Sequence, residues 1–171
     1  MDFDHVISSC DTIRIVAATD RRDWTRRVMH PLETQIRSAA GTHVPVLISA
    51  DKARAKAIAM QIHRRSRYAD RELVIVDCSL PADAYDERLW QTTPGSASLF
   101  LMEVSHLPLR LQLSLRARLI TESRARSRTP ADALTRGRLL ASSSTNLFEV
   151  VEEGWFDRDL FYRLNTFHII P

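Results

Sequence analysis

Short apolar runs alternate along this chain with longer stretches of helical periodicity. The first run, TIRIVAA at 12–18, has the length of a short strand. Between residues 22 and 39, Trp24, Val28, Met29, Leu32 and Ile36 recur at helical spacing, which predicts an amphipathic helix that Gly41 ends. VPVLI at 44–48 is rich in β-branched residues and predicts a strand; the alanine-rich stretch 51–66, with Ile58, Met60 and Ile62, predicts a helix. LVIVD at 73–77 is a continuous apolar run, the pattern of a strand buried on both faces. Pro81 with Asp83, Asp86 and Glu87 marks a helix start that ends near Trp90, and QTTPGSA at 91–97 reads as a loop. SLFLM at 98–102 is another buried strand. Leu107, Leu111, Leu115 and Leu119 put a leucine stripe on a helix over 107–123, and the arginine-rich stretch 124–136, with Pro130, reads as a loop. RLLAS at 138–142 predicts a strand, 147–153 and 156–165 two helical pieces broken at Gly154, and FHII at 167–170 the start of a last strand.

Strands separated by helices imply a parallel sheet with helices on both faces, and right-handed crossovers favour a doubly wound order. In such sheets ligands sit at the carboxyl ends of the strands. Composition changes this picture little. With 171 residues, 44% hydrophobic and 26% charged, the chain suits one folded domain with a sizeable core. The net charge of +3 is too small to point to nucleic acid, although nearly all the basic residues are arginine, Lys52 and Lys56 being the two lysines. Cys10 and Cys78 show no CxxC spacing, and the histidines show no metal spacing, so no metal site is predicted. There is no signal-peptide pattern and no apolar stretch of membrane-spanning length, so a reduced, cytoplasmic, soluble protein is expected, with no membrane partner.

The stretch EEGWFDRDLFYRLNTFHIIP at 152–171 closely resembles the segment EGxFREDLYYRLNVFPI of sigma-54-dependent transcription activators. Other segments follow in order: AIAMQIHRRSRYAD at 57–70 resembles a helix ending in AIHxxSxR, LVIVDCSLP at 73–81 resembles FVAVNCAALP, SLFLMEVSHLPLRLQLSLRARL at 98–119 resembles TLFLDEIxELPLxLQxKLLRVL, and RLLASSSTNL at 138–147 resembles RIIAATNRDL. The resemblance runs from about residue 23 to 171. It implies a P-loop NTPase-like (AAA+) α/β core with a parallel sheet and helices on both faces, preceded by an extension over 1–22. It also implies a helical lid that would follow Pro171, so the core is expected to be truncated before it.

By the same resemblance, the phosphate loop corresponds to Ser49–Lys56, a segment with no glycine and about one residue shorter than in the family. Such a loop needs glycines for close backbone approach and a lysine for the β- and γ-phosphates. The lysine position falls on Ala55 beside Lys56 when counted back from His63, and elsewhere when counted forward from Ile48, so Lys52 and Lys56 are the candidate cofactor-binding residues. The competing reading is an ordinary strand–helix turn. The Asp-Glu pair that holds magnesium and polarises the attacking water reads Met102-Glu103, which keeps Glu103 as a candidate catalytic residue and loses the metal-holding carboxylate. The sensor position falls on Ser144, a third candidate for cofactor contact, with Asn146 two residues on. Of the family's two arginines that reach a neighbouring subunit's ATP, the first position is Asp157 with Arg158 beside it, and the second is retained as Arg163; the alternative for them is surface ion pairing with Asp159 or Glu153. The GAFTGA loop that grips sigma-54 has no counterpart in the short connection from Gln91 to Ala97.

The expectation is therefore a degenerate AAA+ domain serving as a regulatory or oligomerisation module in bacterial transcription control, without ATP hydrolysis. Its expected partners are itself or intact activator subunits; contact with sigma-54 and direct DNA binding are not expected. No cofactor is expected from the altered loop, although the resemblance names Mg-ATP. The competing readings are an ATPase using Lys56 and Glu103, or a sensor of another phosphate-bearing ligand with Arg54 and Arg64 nearby. His63 is expected to be a packed helix residue, Cys78 buried and inert, and Trp24, Trp90 and Trp155 packing residues. Arg116, Arg118, Arg124, Arg126 and Arg128 form the best basic patch, with a solvated helix end as its plainer account.

Overall fold

A computed structural model describes residues 30–81, 97–125 and 137–171, and Leu32–Pro171 form one compact unit. In chain order the elements are α1 (His30–Gly41), β1 (Val46–Ser49), α2 (Lys52–Arg65), β2 (Leu73–Asp77), β3 (Ser98–Met102), α3 (Leu109–Ala125), β4 (Arg138–Ser143), α4 (Leu147–Glu152), α5 (Arg158–Leu164) and β5 (Phe167–Ile169), with a 3-10 turn at Val104–His106. The strand at 12–18, the first part of the helix over 22–39, the helix near Trp90, the loop at 91–96 and the arginine-rich segment 126–136 lie outside the described residues.

The strands form one sheet in the order β2-β3-β4-β1-β5, every pairing parallel. Because strand side chains alternate, each strand feeds two cores. Leu99 and Leu101 of β3, with Leu47 and Ala141, pack against Leu111, Leu115 and Leu119 of α3 and Leu160 and Leu164 of α5. Phe100, Val46, Ile48 and Leu140 face the other way, against Ile36 of α1 and Ile58 and Ile62 of α2. The leucine stripe predicted from 107 to 119 is buried along its length. At the amino end of β4, buried Arg138 donates to the carbonyls of Ala39 and Ala40, placing a cation at the negative end of α1. Burial lowers its guanidinium to about 10, below the ordinary arginine value.

Two expectations are corrected. LVIVD forms its strand over the expected residues, but β2 ends the described sheet, so Ile75 is 37% exposed and Val76 alone in the strand is fully buried. Trp155 is 74% exposed rather than packed. Gly154, at φ 81°, turns the chain so that Phe156, two residues on, takes the core position.

Candidate functional site

All strands being parallel, their carboxyl ends share one edge, and three of the predicted residues, Lys52, Glu103 and Ser144, lie there in two groups. The first surrounds the β1–α2 turn. Ser49 ends β1 and Lys52 begins α2, so only Ala50 and Asp51 form the turn. Asp51 is the N-cap of α2: its carboxylate Oδ1 accepts from the Arg54 amide at 2.9 Å. An acidic cap satisfies an otherwise unpaired amide and suits the positive end of the helix. Lys52 Nζ reaches the end of β2, donating to Asp77 Oδ2 at 3.0 Å and to Ser79 Oγ at 2.6 Å. The Ser79 amide and hydroxyl donate in turn to Asp77 Oδ1, at 3.0 and 2.7 Å. Burial acts to raise the Asp77 carboxyl, but the bonds from Ser79 and Lys52 outweigh it and hold the group below its ordinary value. Lys56 lies one turn further along α2, exposed and apart from this cluster.

The second group lies at the ends of β3 and β4. Glu103 follows β3 in the left-handed region (φ 54°, ψ 50°), a conformation that costs a non-glycine residue energy and aims its side chain toward the neighbouring strand's end. The carboxylate is 2% exposed. Its Oε2 accepts from the amide and the hydroxyl of Ser144, at 3.1 and 2.8 Å, while Oε1 is buried without a hydrogen-bond partner. Glu103 and Ser144, predicted separately, are thus in direct contact. Met102, expected from the resemblance to stand in place of a metal-holding carboxylate, is partly buried against apolar side chains. Cys78 is buried just beyond β2; burial first, then the charges of Asp77 and Glu103, push its thiol up to about 12, which keeps it protonated.

The predicted arginines lie elsewhere, on α5. Arg158 is exposed and pairs with Glu152 at 2.9 Å, not with Asp159 or Glu153. Arg163 is partly buried, and its Nε has no hydrogen-bond partner. Asp157, in the family's first arginine position, caps α5 by accepting from the Leu160 amide at 2.8 Å and pairs with Arg116 at 2.8 Å. Arg118 pairs with Glu122 at 2.7 Å, so two members of the expected basic patch are neutralised by carboxylates. Sequence reasoning missed Gln112. This buried side chain donates to the carbonyls of Leu107 and Trp155 and accepts from the Asp157 amide at 2.7 Å, fixing the turn before α5. Its match to the glutamine of the LPLxLQ stretch in the resembling family segment, and its place among the buried leucines of α3, are the signals that could have flagged it. His63 is packed as expected: Nε2 donates to the Arg71 carbonyl at 3.1 Å, which leaves Nδ1 to accept from Ser98 Oγ at 3.0 Å.

The all-parallel five-stranded sheet with helices on both faces is that of a P-loop NTPase-like α/β core, as its structural neighbours show. Two solved structures share that fold: NtrX from Brucella abortus in complex with ATP (TM-score 0.68, 23% identity, covering 83% of this chain and 36% of that one), and the P-loop NTPase domain of a sigma-54 activator from Escherichia coli (TM-score 0.57, 17% identity, 88% and 96%). Residues 88–170 match the sigma-54 interaction domain. Among curated proteins it is 32% identical over 165 residues to the alginate biosynthesis transcriptional regulatory protein AlgB of Pseudomonas putida, covering 84% of this chain. The chain spans about a third of the length of the curated relatives it matches, 37% of the first and 30% of the next. No described helix is long and apolar enough to cross a membrane.

Proposed function

We propose that this chain is a regulatory or oligomerisation module of bacterial transcription control, an AAA+ core that does not hydrolyse ATP or remodel sigma-54. One observation carries the reading: the β1–α2 turn. Two residues, Ala50 and Asp51, cannot wrap backbone amides around a polyphosphate, and neither is glycine. Asp51 already caps α2, and Lys52 is bonded to Asp77 and Ser79. Met102 offers no carboxylate to magnesium. The residues at this edge do not fit Mg-ATP. The short connection Gln91–Ala97 supports the loss of sigma-54 remodelling. What remains for a ring partner is Arg163, with Arg158 available if it leaves Glu152. The second reading, an ATP site built on Lys56 and Glu103, draws on the unpartnered Glu103 Oε1.

Thermal unfolding with and without about 1 mM Mg-ATP tests the nucleotide half. A site with a Kd near 10 μM would add about 2.7 kcal/mol, and no shift is expected. Titration into an intact activator's AAA+ domain tests the other half: ATP turnover should change, and Arg163→Ala should weaken the change. A clear thermal shift overturns the first half, and an indifferent turnover rate overturns the second.

A further inference from the structure

The Lys52–Asp77 pair joins the ends of β1 and β2, strands that have β4 and β3 between them in the sheet. It therefore closes over the stretch of carboxyl edge where ligands of parallel sheets bind. Two carboxylates do there what a bound anion would do. Asp51 takes an amide at the start of α2, and Asp77, braced by two bonds from Ser79, takes the ammonium of Lys52. Glu103 adds a third carboxylate at the same edge, buried and held by Ser144.

We propose that Asp51 and Asp77 are internal counter-anions that determine the specificity of this edge by excluding polyphosphates. The inference rests on the reading that the edge holds no Mg-ATP, and it assigns that property to two named side chains rather than to the missing glycines alone. An incoming polyphosphate has to displace Asp77 from Lys52 and then meets like charge from Asp51 and Asp77 at the same edge, a repulsion that added salt should screen. A ligand without negative charge faces no such barrier.

The test uses the full chain and inorganic pyrophosphate as probe. Asp51→Ser keeps a capping oxygen and Asp77→Asn keeps the shape and the acceptor, so both remove charge with little change of contact. The double variant should bind pyrophosphate at least about tenfold more tightly than the wild-type chain in calorimetry, and adding Lys52→Ala should abolish the gain. A double variant with unchanged far-ultraviolet circular dichroism and no gain overturns the inference while leaving the proposed function intact. A gain that survives Lys52→Ala also overturns it, because nonspecific charge reduction then explains the binding. Thermal stabilisation of the wild-type chain by Mg-ATP overturns the proposed function and this inference together. Should the double variant not fold, Asp77→Asn alone carries the comparison, since the Asp77 carboxylate bonds to Lys52 and Ser79 at the surface.

Discussion

Two polar networks in this molecule do different work. Around α3, Gln112 joins three backbone groups from Leu107, Trp155 and Asp157, and Glu103 joins the ends of β3 and β4 through Ser144; both side chains are buried. Around the β1–α2 turn, Asp51, Lys52, Asp77 and Ser79 form a comparable number of bonds, but at the surface. The first network lies within the residues that match the sigma-54 interaction domain, and the second lies outside them. A buried polar group left without a partner costs about 1–3 kcal/mol, whereas an exposed one turns to water. Residue types at the turn can therefore change without unfolding the sheet, and a fold can keep its architecture while its ligand chemistry is replaced.

Gln112→Ala breaks the comparison most strongly. It strips partners from two carbonyls and one amide near the turn before α5, and should destabilise the chain by about 2–4 kcal/mol in urea unfolding. A loss below about 1 kcal/mol would mean that water replaces the side chain and that the network is not dry.

An effect of intermediate size should appear with pH. Burial leads the causes that depress His63, with the charges of Arg138 and Arg64 adding to it against the opposing Arg71 carbonyl; burial also depresses His168. Both rings take up a proton less readily in the folded chain than in the unfolded one, so the unfolded chain binds more protons as pH falls toward and below the ordinary histidine value of 6.5. Their contribution is complete above that pH and is lost as pH falls through the lower folded values. The unfolding midpoint should drop between pH 7.5 and 5, with a shallower drop in His63→Gln; an unchanged slope in that variant would remove His63 from the account.

The smallest effect should come from Lys52→Ala. Its ammonium is about half exposed, and such a pair contributes under about 1 kcal/mol. A larger loss in urea unfolding would show that the surface network supports the fold after all and would collapse the contrast with Gln112.

Much of the architecture was legible because it rests on local periodicity. The strands at 73–77 and 98–102, the buried leucine stripe from 107 to 119 and the break at Gly154 all follow from side-chain spacing and turn chemistry. Resemblance extended that reading to Glu103, Ser144 and Arg163 as positions, without their partners. Local spacing and composition thus carried the class of fold, its two helical layers and the absence of glycine at the β1–α2 turn. Strand order and packing in three dimensions set the rest: β2 ends the described sheet, Ser144 holds Glu103, Gln112 secures a turn 43 and 45 residues away, and Lys52 is bonded to Asp77 across 25 residues of chain. Each of these depends on strand order and helix packing, which bring together residues distant in the chain; local spacing carries no record of which distant group arrives opposite.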